Sequence, residues 1–418
     1  MNDMTRPLAL PEPSTLEAFL RRRLLAQLAP LQGGRLQLRD ALGDVSIGDA
    51  AAPLQVTVWV DNPAFYRAVG AQGSVGAGEA YIRGEWRCDN LVGLVQLLVR
   101  NRALLDGMER GPARLGGWLL QGWNRLRRNT REGSRRNIAA HYDLGNAFFS
   151  LFLSRDLMYS SALYAEPGDT LEVASQRKLA RICEQLQLKA GDRVVEIGTG
   201  WGGFAVYAAL HHGCHVTTTT ISREQYALAT ERVASAGLQD KVTVLLKDYR
   251  DLEGQYDKLV SIEMIEAIGA QYLDTYFATL TRLVKPEGLA LLQAITIEDE
   301  RYEQARRSVD YIKRFVFPGS FIPSLHAIMA AKTRSSDLQL IGQYDFGQSY
   351  ALTLRAWRRR FLSQLPAVRA QGFDERFIRL WELYLAYCEG GFLERSIGVS
   401  QLLLARPGYR PAPIEGTH

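Results

Sequence analysis

RVVEIGTGWGGFAV, residues 193–206, decides the fold. Val194, Val195 and Ile197 form a short β-branched run that breaks into a turn with glycines at 198, 200, 202 and 203, then resumes as helix-like sequence. A strand opening through glycines into a helix lets the backbone approach a ligand closely and offers it the helix's free N–H groups. Glu196 stands just before the turn, at the carboxyl end of the strand, where open α/β sheets bind their ligands. Glycine spacing alone would also suit a purely steric turn; the strand before it and the helix after it favour a cofactor site. The next strand, HVTTTTIS (215–222), ends without the carboxylate that dinucleotide folds use to hold a ribose. Thr220 and Gln225 offer neutral hydrogen bonds there instead. VTVLLKDY (242–249) adds a third strand and Asp248, and KLVSIEMI (258–265) a fourth that leads to Glu266. This alternation of β and α patterns predicts an α/β fold with a mostly parallel, doubly wound sheet.

That order of features resembles S-adenosylmethionine (SAM) methyltransferases more than dehydrogenases. A longer series narrows the resemblance: HYDLGN (141–146), LMYSSA (157–162), residues 196–203, TISREQ (220–225), DYRD (248–251), EMIEAIG (263–269), YIKRFVFPG (311–319) and FGQSY (346–350). In this order they resemble the cyclopropane fatty acid synthase family, from about residue 54 to residue 410. The resemblance implies a Rossmann-like SAM methyltransferase domain with a smaller α+β N-terminal domain. It also implies transfer of a methylene unit from SAM to the cis double bond of unsaturated phospholipid acyl chains, giving cyclopropane fatty acids, with a bound bicarbonate as base.

Site residues carry over one at a time. Glu266 matches the glutamate that orients bicarbonate, Tyr350 the tyrosine that donates to it, and Ile295, in LLQAI (291–295), a residue whose backbone contacts it. Ser161 stands where the enterobacterial branch has cysteine, and Gln293 where it has histidine; both keep hydrogen-bond donors. Glu263 is an added carboxylate beside Glu266. For SAM, the resemblance implies Tyr159 and Ser160 near the methionine moiety and Glu196, Gly198, Gly200 and Gly202 around the ribose and carboxylate. Thr220 and Gln225 would lie along the ribose, Asp248 and Tyr249 at the adenine, and His141, Tyr142 and Asp143 over the site. The altered anion site keeps a second ending open, a methyl-branched or methylenated chain. A soluble small-molecule methyltransferase is a further alternative.

At 418 residues the chain exceeds what one hydrophobic core usually supports. Residues 1–34 read as a leader and one helix, 35–99 as a β-rich, lipid-handling N-terminal domain, 100–136 as an arginine-rich helical connector and 137–418 as the catalytic domain. No apolar run approaches a membrane span, the N-terminal residues lack a signal-peptide pattern, and the four scattered cysteines read as free cytosolic thiols. No His/Cys/Asp/Glu spacing suggests a metal site. Net charge is only +5, but the connector interleaves arginines with Trp118, Leu119, Trp123 and Leu126. Such a stripe suits the surface of an anionic bilayer, and equally a helix packing on its own protein. No nucleic-acid motif accompanies it. The expected protein is cytoplasmic, peripheral to the inner face of the membrane and in contact with phospholipid acyl chains; a homodimer is left open.

Overall fold

The structure, a computed structural model, describes residues 11–104 and 144–411. The expected arginine-rich connector beyond residue 104 and the expected closing segment His141–Asp143 lie outside the described residues. The chain divides into two compact units. The first holds the described residues up to 104 together with Ser308–Pro318 and Phe361–Ser396; the second holds residues 144–307, Gly319–Arg360 and residues 397–411.

In the first unit, Ser14 opens the helix Thr15–Leu28 with a capping box: its hydroxyl accepts from Glu17 N (3.3 Å), and the Glu17 carboxylate accepts from Ser14 N (2.8 Å). Strands β1 (Arg35–Arg39), β2 (Val45–Gly48), β3 (Gln55–Val60) and β4 (Trp86–Cys88) form a sheet in the order β2-β1-β3-β4. Alternation in QVTVWV turns Val56, Val58 and Val60 to the core. The expectation of a β-rich 35–99 holds only in part, because Ala64–Ile82 is helical, broken at Gly73 (φ 55°, ψ −131°). Its glycines include packing contacts: a Cβ on Gly78 would lie 2.5 Å from the Tyr311 ring. The sequence boundaries placed 137–418 together, whereas Glu375–Leu393 packs with the N-terminal helices. Gly390 permits this, since a Cβ there would come within 2.6 Å of Val95 on the helix Leu91–Arg100.

The second unit is built on seven strands: β5 (Arg193–Ile197), β6 (His215–Thr220), β7 (Val242–Leu246), β8 (Tyr256–Ile262), β9 (Val284–Ile297), β10 (Gln339–Asp345) and β11 (Ile397–Ala405). Their order is β10-β11-β9-β8-β5-β6-β7. All neighbours from β9 to β7 run parallel, while β11 is antiparallel to both β9 and β10. Chain order reverses between β5 and β8, so the crevice for a ligand opens at their carboxyl ends. Those ends carry the glycine turn and the segment 263–269. The aromatic run at 148–152 forms core here: Phe148, Phe149 and Phe152 are fully buried and mutually edge-on or tilted.

Candidate active site

Beyond β5, Gly198, Gly200 and Gly202 all take positive φ (98°, 52° and 83°). A Cβ on Gly198 would lie 3.2 Å from Met264 Cγ, but one on Gly200 would meet nothing within 4 Å. Gly202 starts the helix Gly203–His212 with no side-chain cap, so its first N–H groups are left for solvent or a ligand. An uncapped helix start beside an open glycine fits the polar end of SAM. At the end of β6, the Thr220 hydroxyl bonds Gln225 Oε1 (2.7 Å), and Ser222 caps the next helix through Gln225 N. Asp248 already accepts three bonds from Arg250, at 3.0, 2.8 and 2.6 Å, so an adenine amino group would share that carboxylate. Tyr249 sits edge-on to Tyr276, and Tyr159 packs between Phe149 and Trp357.

Glu196 is buried, its carboxylate accepting from the Thr218 hydroxyl (2.6 Å). Burial pushes it up to about 8 against the pull of Thr218 and Lys178. Lys178 is fully buried and bonds the Ser160 hydroxyl (2.7 Å); burial draws it down to about 8 despite Glu263, Asp156 and Glu196.

The second half of the crevice centres on Glu263, just beyond β8. Three donors from separate parts of the unit meet on its carboxylate. Ser161 N–H (2.9 Å) and the Gln293 side-chain amide (2.8 Å) donate to Oε1, and the Tyr350 hydroxyl (2.6 Å) donates to Oε2. The backbone at Glu263 is held at φ 48°, a conformation that costs a residue with a side chain about 1–2 kcal/mol. The loop bearing Ser161 is pinned to the helix that carries Tyr350, Gly347–Ser363, through Ala162 N to the Thr353 hydroxyl (3.0 Å) and Tyr164 N to that of Ser349 (3.1 Å).

Gln293 is oriented by a relay. It pairs with Gln401 across β9 and β11, and the Gln401 amide donates to Gln293 Oε1 (3.1 Å). Gln401 Oε1 in turn accepts from Arg181 Nε (3.2 Å). A guanidinium can only donate, so the chain Arg181, Gln401, Gln293 turns an N–H toward Glu263. Glu266, on the single-turn helix Ile265–Ile268, is held differently: Oε1 accepts from Ile295 N (2.6 Å), and Oε2 is buried without a partner. Burial first, and then the charge of Glu263, push Glu266 up to about 8. Burial also raises Glu263, but Tyr350, Gln293, Ser161 and Lys178 oppose the rise. The donors and Lys178 favour the charged form of Glu263, whereas the charge of Glu263 disfavours that of Glu266.

With this arrangement in view, the comparisons with known proteins are decisive. Residues 129–402 match the family model described as mycolic acid cyclopropane synthetase. The chain belongs to the cyclopropane fatty acid synthase family of SAM-dependent methyltransferases. It is 37% identical over 403 residues to a tuberculostearic acid methyltransferase of Mycobacterium tuberculosis, covering 94% of this chain and 92% of that one. To the cyclopropane-fatty-acyl-phospholipid synthase of Escherichia coli it is 38% identical over 378 residues, with 88% and 92% covered. A mycolic acid cyclopropane synthase solved with SAH and CTAB superimposes with a TM-score of 0.61 at 25% identity, covering 65% of this chain and 98% of that one.

Every residue that the family resemblance assigned to the anion lies in this crevice: Ser161, Gln293 and Tyr350 bond Glu263, and Ile295 bonds Glu266. The family's bicarbonate does not fit the site as built, because the donors that would hold it are directed at the chain's own carboxylate. Glu263 was visible in sequence only as an added acid, and Lys178, Gln401 and Arg181 were not singled out. Lys178 did leave a signal: it shares the apolar spacing of Leu171, Ala174, Ser175 and Ile182 on the helix Leu171–Gln185, where a charge is out of place.

Proposed function

We propose that this enzyme transfers a methyl group from SAM to the cis double bond of a phospholipid acyl chain at the membrane surface and closes a cyclopropane ring. SAM supplies the electrophilic methyl carbon, and Gly198, Gly200, Gly202, Thr220 and Gln225 would hold it. The observation that carries the reading is the buried carboxylate pair, Glu263 with Glu266, clamped by Ser161, Gln293, Tyr350 and Ile295 beside the glycine turn. An isolated alkene is a weak nucleophile, so this chain must contribute alignment and dryness; positioning can remove about 7–11 kcal/mol of barrier. Ring closure then needs a base that does not admit water, and a buried, hydrogen-bonded carboxylate meets that need.

The protein would act peripherally on the cytoplasmic face of the membrane, with the arginine-rich segment as its contact. No helix of the described residues is long and apolar enough to cross a membrane. A second reading, the same transfer ending in a methyl-branched or methylenated chain, is favoured by the extensive likeness to the tuberculostearic acid methyltransferase. The test is to incubate the full chain with SAM and vesicles of cis-monounsaturated phospholipid, then record proton NMR of the released fatty acids. Upfield ring-methylene signals support cyclopropanation. Olefinic methylene signals, or a methyl branch that forms only with added reductant, support the second reading. SAM consumption that ignores vesicles and requires a small soluble acceptor would overturn both.

A further inference from the structure

We propose that Glu263 is the general base of this enzyme, a carboxylate built into the chain in place of a bound bicarbonate. The inference rests on the alkene-methylation reading above and assigns its proton-removal step. Bicarbonate and a glutamate side chain present the same planar pair of oxygens, so a donor set suited to one accepts the other. Here Ser161 N–H and the Gln293 amide meet one oxygen, and the Tyr350 hydroxyl meets the other. These donors come from a loop, a central strand and a helix, and lie 102, 30 and 87 residues from Glu263 in the chain. A carboxylate serving only to brace the loop would not require a left-handed backbone at its own residue. Glu263 has one, at φ 48°, and the conformation brings its carboxylate under all three donors.

The groups around Glu263 oppose the rise that burial imposes on it. Lys178, buried on the helix Leu171–Gln185, adds a favourable charge, and Tyr350, Gln293 and Ser161 add hydrogen bonds, while burial and the charge of Glu263 push Glu266 up. Gln293 is a positioning residue, kept in its donating orientation by Gln401 and Arg181. Once the alkene has taken the methyl group, the neighbouring chain carbon is a cation. A Glu263 oxygen removes one proton from the new methyl carbon. The C–H electron pair becomes the C–C bond that closes the ring and cancels the cation, and Glu263 becomes a neutral acid. It returns the proton to water as the product leaves. No metal, oxidant or external anion is needed for the balance.

The experiment uses the full chain with SAM and dioleoylphosphatidylglycerol vesicles, in buffer stripped of carbon dioxide and with bicarbonate restored. Wild type is expected to turn over equally in both. Glu263→Gln should lower kcat by ~10²-fold or more while SAM affinity, measured by calorimetry, stays unchanged. Glu263→Gly suits the positive φ and vacates the space, so added bicarbonate should restore part of its rate. A readout independent of turnover is 13C NMR of labelled bicarbonate, expected to show a bound line with Glu263→Gly and none with wild type. A bound line with wild type, a wild-type rate that depends on bicarbonate, or a Glu263→Gln rate equal to wild type would each overturn the proposal. If the NMR result holds but no unsaturated phospholipid is converted, the substrate reading fails and Glu263 remains the occupant of the anion position.

Discussion

Replacing Glu266 with Gln should give the protein a stability advantage over wild type that grows as pH rises, and the size of the effect follows from where the carboxyl sits. Its Oε2 is buried without a partner, and Glu263 lies close enough to add repulsion. Together they lift it from an ordinary 4.5 to about 8. Over that interval the folded chain keeps a proton that the unfolded chain has released. Stability from this group is therefore intact below about 4.5, declines as pH climbs toward 8 and stays low above it. Each pH unit costs about 1.4 kcal/mol, so the full interval amounts to about 3–5 kcal/mol. Glutamine carries no charge at any pH and keeps an oxygen for Ile295 N–H. Relative to wild type, Glu266→Gln should gain those few kcal/mol between pH 5 and 8.5. Hydrogen exchange of peptides covering β8 and β9 reports the unit that holds Glu266, with the variant and wild type compared at each pH. Parallel stabilities across that range would refute the reasoning, because Glu266 would then be ionised in the fold.

Gly200→Val should abolish SAM binding, since valine resists a φ of 52° and its side chain would fill the open space beside the turn; calorimetry on the folded variant checks this. Gln401→Leu should free the Gln293 amide and weaken a charged hydrogen bond worth about 1.5–3 kcal/mol, lowering kcat by ~10–100-fold. Losing that donor also raises Glu263 further, so the acid limb of the kcat profile should move to higher pH; an unmoved limb would show that the relay does not reach the carboxylate. Replacing Arg125, Arg127 and Arg128 with Gln should weaken binding to anionic vesicles by up to ~1 kcal/mol per charge, less at high salt, as read by co-sedimentation.

The glycine turn after β5 was legible in sequence because its physics is local. Glycines at 198, 200 and 202 are required by positive φ within one turn, and the β-branched run before them states the strand. The mostly parallel sheet followed from the same alternation of patterns and the family resemblance, but its strand order did not. The domain boundaries were less legible. Glu375–Leu393 lies far along the chain from the N-terminal helices, and only its packing on Ala64–Ile82 and Leu91–Arg100 assigns it to the N-terminal unit. Gly73 and Gly78 fall in the stretch read as β-rich, although the helix Ala64–Ile82 contains both. Ser161, Gln293, Ile295, Tyr350 and Glu266 could be named from matching motifs, but their target could not. Hydrogen bonds between residues 30 to 102 positions apart are a property of tertiary packing, and so is the Arg181–Gln401–Gln293 relay. The sequence by itself determined an α/β fold with a mostly parallel sheet and a glycine turn after its first strand. Only the tertiary structure decided that Ser161, Gln293 and Tyr350 converge on Glu263 and that Glu266 is buried against Ile295, because both depend on burial and on donors brought together from distant parts of the chain.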